Sequence, residues 1–251
     1  MDAAVISISL NGLILAFLPA VIVIAILYRW ACNARTAIYA ALRMLIQLLL
    51  IGYVLVYIFE ADQPWIIISV LVIMLVVASW ISIRPLQSKQ PHVYLNALIA
   101  ISVGGAPTLA LVSQIVIDVQ PWFSPRYVVP LAGMIFAGAM NTVSLAAERF
   151  QAEIDRSVPY IEARRSALHA ALIPMINSLL AVGIVSLPGM MTGQILSGVS
   201  PLIAAKYQIV VMTMLFGASG ISAAIYLVLA DRHLARSRHH PGKPDHDDIS
   251  Q

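Results

Sequence analysis

HAALIPMINSLLAVGIVSLPGMMTGQILSGVSPLIAAKYQIVVMTMLFGASGISAAIYLVLA (residues 169–230) decides the fold. Lys206 is its only Lys, Arg, Asp or Glu, yet Pro174, Pro188, Gly189, Gly193 and Gly198 interrupt the apolar run. A simple anchor would be Leu, Val and Ile throughout. Helix breakers persist at membrane depth only where other protein or a water-lined cavity satisfies the freed backbone groups. The stretch therefore predicts an all-α polytopic membrane protein with a pathway or a moving part.

Composition outside this stretch agrees. The 251 residues are 60% hydrophobic and 11% charged, with a mean hydropathy of +0.88. A soluble domain carries about 25% charged residues. One Cys excludes a disulfide framework and a Cys-based zinc site. The net charge of +3 comes from basic residues dispersed between apolar runs, which is a topology pattern rather than a nucleic-acid signal.

About seven transmembrane helices are predicted, at 5–28, 37–59, 65–83, 93–117, 128–146, 170–196 and 207–230, since each needs about 20 apolar residues. The first is too long for a cleaved signal peptide and follows Asp2 rather than a cation. The sixth is expected to break near Pro188, which cannot donate to the carbonyl of Ile184. Pro188, Gly189 and Gly193 form the predicted hinge. If 188–198 instead dips in and returns, the span count changes. Alternate gaps hold twelve Lys and Arg against two, Arg126 and Lys206. By the positive-inside rule the N-terminus lies outside and the C-terminus in the cytoplasm. Residues 1–230 form the permease domain, and 231–251 a disordered cytoplasmic tail whose His and Asp are solvated.

All twelve acids lie outside the seven spans. Coupled carriers usually keep a carboxylate in the membrane, so a secondary carrier is disfavoured. Arg43 is the sole charge inside a span, about 10 Å from its cytoplasmic end. It either snorkels to the interface or serves the translocation path with Gln47, one turn away on the same face. Asn141, Asn177 and Gln194 complete the path candidates. Seven Met lie between 134 and 214 and read as gap-filling side chains, since thioethers suit iron poorly. Gly189 and Gly193 make a GxxxG that permits close helix contact.

Residues 147–168, AERFQAEIDRSVPYIEARRSAL, place Phe150, Ile154, Val158, Ile161 and Leu168 on roughly one helical face. Two short helices joined at 157–159 are expected, with Ser157 as cap and Glu162 in the first turn of the second. The segment is either an interfacial connector or a docking surface with Glu162, Arg164 and Arg165 as its polar rim.

RMLIQLLLIGYVLVYIF (43–59), VVPLAGMIFAGAMNTVSL (128–145), AALIPMINSLLAVGIVSLPGMMTGQILSG (170–198) and AAKYQIVVMTM (204–214) resemble the FetB-like family of ABC transporter permeases. The resemblance covers the second to seventh spans and implies a bacterial inner-membrane permease subunit for export of iron or another metal ion. Plant relatives are linked to aluminium tolerance and nucleotide-sugar transport. It also implies a homodimer and a separate ATP-binding-cassette ATPase that uses the ATP. The chain agrees, because it has no G-x-x-x-x-G-K-[ST] phosphate loop and no catalytic constellation or cofactor motif. Two departures from the family pattern matter. The link before AALIP is shorter and lacks a turn Gly, whose place Pro159 takes. Asn177 stands where one relative has Asp, which weakens iron as the substrate. The alternative from another class is an ATP-independent membrane channel or structural membrane partner.

Overall fold

The computed structural model describes residues 8–60, 63–86 and 90–239, with side chains up to 230. It is helical almost throughout, and among the described residues the only β-type pairing is the isolated bridge of Val182 with Ser186. Contacts divide the chain into two compact units, the first ending at Ala61.

The first unit holds α1 (Leu10–Ala16), α2 (Leu18–Arg29) and α3 (Ala34–Phe59). Ser9 caps α1 by accepting from the Gly12 amide, and Asn33 caps α3 by accepting from the Thr36 amide. The side chains of α2 and α3 are mostly apolar, with Arg43 and Gln47 as the polar residues inside α3, and Ala34 is the sole described residue of this unit that is buried.

The second unit holds α4 (Pro64–Ser82), α5 (Pro91–Ala110), a π-helical turn (Leu111–Val116), α6 (Pro125–Asp155), α7 (Tyr160–Ala181), α8 (Gly189–Leu196) and α9 (Pro201–His239). Proline occupies the first position of α4, α5, α6 and α9, where its missing N–H costs nothing. Helices α5, α6 and α9 pack together at the centre, with α4 against α5 and α6 and with α7 against α6 and α9. Their contact surfaces are built from small residues, as close packing in lipid requires. Ala100, Ala132, Ala139, Ala146, Ala218, Ser219 and Ser222 are fully buried. A Cβ on Gly104 would run into Ser222 Oγ and sit 3.0 Å from the carbonyl of Ala218. A Cβ on Gly138 would meet Ser219 Oγ at 3.0 Å. These two glycines let α5 and α6 reach α9.

Among the described residues six helical stretches are long and apolar enough to cross a membrane, and they coincide with every expected span except the sixth. That sixth span is broken more completely than the sequence suggests. It is not one kinked helix over 170–196. Helix α7 ends at Ala181, a turn follows, and α8 begins at Gly189. Gly183, at φ +83°, turns the chain, and its amide closes the loop on the Ser186 carbonyl at 2.9 Å. Positive φ is inexpensive only for glycine. Pro188 therefore caps α8 from outside rather than kinking a helix at its middle. With eight residues, α8 is about 12 Å long, far short of a bilayer.

The path of this segment follows from its neighbours. The hydroxyl of Tyr160, at the start of α7, donates to the Leu227 carbonyl of α9 at 3.2 Å. Phe150, near the end of α6, stacks edge-on against Tyr160. At the other end of the bundle, the first turns of α6 and α9 line one cavity. Helices α6 and α9 thus run in the same direction, and the chain between them must cross from one end to the other. Residues 160–200, which hold α7 and α8, make that crossing.

Two further expectations change. The arms of the 147–168 segment are not two short helices but the projecting ends of α6 and α7. At 31 residues α6 is about 46 Å long, against an apolar core of about 30 Å. The join does fall at Arg156–Pro159, where Ser157 takes φ +61°, but Ser157 does not cap α7: Pro159 holds that position without a side-chain bond. The tail expected from 231 is helical to His239, because α9 continues through it; residues 240–251 lie outside the described residues.

Candidate functional site

A cavity of about 500 Å³ opens where α6, α8 and α9 begin. Arg126, Tyr127, Pro130, Leu131 and Met134 line it from α6, Met190 and Gln194 from α8, and Val199, Ile203, Tyr207, Val210 and Val211 from α9 and the turn before it. Ile117, just past the π-helical turn, completes the wall.

Local sequence dictates this arrangement. Pro107 removes an N–H inside α5, and four residues on, the helix widens into the π-helical turn. Gln114 pins the following loop by donating to the Trp122 carbonyl at 3.2 Å and to Ser113 Oγ at 3.0 Å. Pro130 does the same to α6, freeing the carbonyl of Arg126 one turn back. Gly198, at φ +89°, turns the chain from α8 into α9, so that α8 lies against the first turns of α9.

The wall is apolar apart from the guanidinium of Arg126, the carboxamide of Gln194 and the hydroxyls of Tyr127 and Tyr207. Arg126 makes no ion pair among the described residues. The Oε1 of Gln194 is buried and lacks a hydrogen-bond partner. No Asp, Glu, His or Cys lines the cavity, and among the described residues no three such side chains gather anywhere.

A second constellation sits at the opposite end, where α6 turns into α7. Arg149 pairs with Glu153 at 2.5 Å, and Ser166 of α7 donates to Glu153 at 3.2 Å. Glu153 is buried, so both partners are needed to hold its charge there. Phe150 and Tyr160 stack, and Arg164 lies over the Tyr160 ring at 5.4 Å. The result is a braced elbow. On its outer side Glu162 and Arg165 are exposed, whereas Arg164 is half-buried and engaged with the ring.

Of the five path candidates only Gln194 lines the cavity. Asn141 is exposed on α6, two turns beyond Met134 on the same stripe. Asn177 is exposed on α7, in the half of that helix beyond Ala171 where no residue is buried. Arg43 and Gln47 lie one turn apart on α3 of the first unit, Arg43 half-buried and Gln47 exposed. Gly189 and Gly193 face open space, so their GxxxG makes no close helix contact among the described residues. Sequence reasoning missed Arg126, Tyr127 and Tyr207. The signal was present in Arg126, one of the two cations that break the charge bias.

The chain matches the family described as Uncharacterised protein family (UPF0014) over residues 10–235. It is 34% identical to the UPF0014 membrane protein slr1647 of Synechocystis, with 78% of this chain and 83% of that protein covered. It is 33% identical to the Probable iron export permease protein FetB of Escherichia coli, covering 78% of this chain and 80% of that one. Protein ALUMINUM SENSITIVE 3 of Arabidopsis thaliana is 30% identical, with 81% and 80% covered. No solved structure matches. The chain belongs to the UPF0014 family, and it is a multi-pass membrane protein.

Proposed function

From that membership we propose that the chain is the permease subunit of an exporter in the inner membrane of a bacterium, driven by a separate ATP-binding-cassette ATPase, with iron or another metal ion as cargo. The iron-export name of the Escherichia coli relative supports the cargo class. The single observation that carries the coupling is the elbow. It projects several turns beyond the span of α6 and is braced by the Arg149–Glu153–Ser166 and Phe150–Tyr160 contacts. Through the Tyr160–Leu227 bond it is tied to α9, which reaches the cavity at its far end. A push on the elbow therefore has a rigid route to the chamber. The chain carries no phosphate-binding loop, so the push comes from a partner. The Lys and Arg distribution supports an elbow in the cytoplasm, a cavity at the outer side and an N-terminus outside. A homodimer with two ATPase subunits is the expected assembly.

The test is co-purification with a candidate ATP-binding-cassette ATPase from the same organism. Glu162→Lys combined with Arg165→Glu reverses the exposed charges without touching the Tyr160 stack. The pair should retain membrane insertion, lose most of the bound ATPase and uncouple ATP hydrolysis from transport. Unchanged co-purification and transport would reduce the elbow to a connector between two spans.

A further inference from the structure

We propose that the cavity at the start of α6, α8 and α9 binds an organic anion with an apolar body, so that a metal cargo enters as an anionic complex rather than as a bare ion. This rests on the export reading for its purpose but not for its binding test. The volume of about 500 Å³ is that of a site for a small organic molecule, and far larger than a metal ion needs. Its walls are mostly the side chains of Leu, Ile, Val, Met and Pro. Iron prefers hard oxygen and nitrogen donors, and the wall supplies no carboxylate or imidazole, only the Gln194 carboxamide and the two phenols of Tyr127 and Tyr207 beside a permanent cation. The thioethers of Met134 and Met190 suit it poorly. A bare cation would instead meet Arg126.

The polar groups specify the complement. Arg126 is a permanent cation with a forked donor set and no acidic partner among the described residues. An anionic oxygen group on the ligand would pair with it. The Gln194 carboxamide has a buried end with no partner. Since the amide can flip, it offers either a donor or an acceptor to a hydroxyl, amide or carbonyl of the ligand. One charge, one amide, two phenol hydroxyls and otherwise apolar walls together select a molecule with one anionic end and a ring or chain behind it.

The probe is 2-naphthalenesulfonate, with 2-naphthalenemethanol and 2-naphthylmethylammonium as neutral and cationic counterparts of the same ring. Binding is read from the ligand-dependent rise in unfolding temperature of the full chain in an uncharged detergent, without ATPase. The sulfonate should bind roughly tenfold or more tighter than the alcohol, the worth of one charge-assisted contact, and the ammonium weakest of the three. Arg126→Gln should bring the sulfonate down to the alcohol's affinity and leave the alcohol unchanged. Met190→Trp, which fills the chamber, should abolish binding of both. The proposal is overturned if the ammonium binds as well as the sulfonate, if Arg126→Gln changes nothing, or if Met190→Trp still binds. A further arm repeats the sulfonate titration in phosphatidylcholine nanodiscs with and without phosphatidylglycerol. Sulfonate binding should survive the anionic lipid. If that lipid displaces it and stabilises the chain through Arg126, the cavity is a headgroup site and the cargo reading falls. Loss of ATPase coupling with binding intact would instead count against the export mechanism alone.

Discussion

Leu10–Arg29 has a mean hydropathy of 2.7 over its most apolar window, and none of that window is buried. Pro125–Asp155 reaches only 1.6, and half of its window is buried. In water the order would be reversed. In lipid, burying Leu gains little over leaving it in the hydrocarbon, so apolar bulk does not pull helices together. Helices meet instead where side chains are small and backbones can approach. The first unit is the side-chain surface that lipid tolerates, and the second is the close-packed machine. In the second unit small buried residues, helix breakers and the polar groups of the cavity coincide.

One substitution placed in both regions separates them most sharply. Gly104→Leu forces a side chain into Ser222 and the α9 backbone. It should destabilise the chain by about 3 kcal/mol, the upper range of overpacking, and much of the protein should fail to accumulate. Gly52→Leu, in the middle of α3, meets nothing within 4 Å. It should leave stability within about 1 kcal/mol of the parent, on the stabilising side, since Leu is the better helix former. Thermal unfolding of the two purified variants checks both. Equal losses would mean that the first unit is packed as tightly as the second.

A smaller effect is expected inside the second unit itself. Gly193→Leu faces open space on α8, beside a cavity wall that includes Gln194 on the next position. Stability should again stay within about 1 kcal/mol of the parent. Transport should nevertheless fall if α8 closes against another surface during the cycle. Measured together, unfolding temperature and transport rate distinguish a surface used in motion from one that stays open. Unchanged transport would confine the moving part to α7 and the turn at 182–188.

Much of this was legible in the sequence. Span positions follow from hydropathy, and the elbow at 156–159 from an amphipathic stretch with Pro159. The break in the sixth span followed from Pro188 and its glycines, although its site did not. Gly183 looks no different in sequence from Gly189, and only the folded backbone shows which one takes positive φ. The contact of Gly104 with Ser222 joins residues far apart in the chain, which no local period reveals. The same limit explains the path candidates. Polarity within a span singled out Asn141, Asn177 and Gln194 equally, but only the turn at Gly198 brings one of them to the cavity. Arg126 escaped notice because it stands at a helix start, where a cation reads as an interfacial anchor.

We propose that this chain moves cargo through the second unit under the drive of a separate ATPase. Inside-out vesicles containing the chain and its ATPase test it directly, with radioactive iron supplied outside as a chelate. Accumulation should require ATP and both proteins, and should disappear with Glu162→Lys and Arg165→Glu. Accumulation of the same size without ATP, or without the ATPase, would contradict it and make the chain a channel.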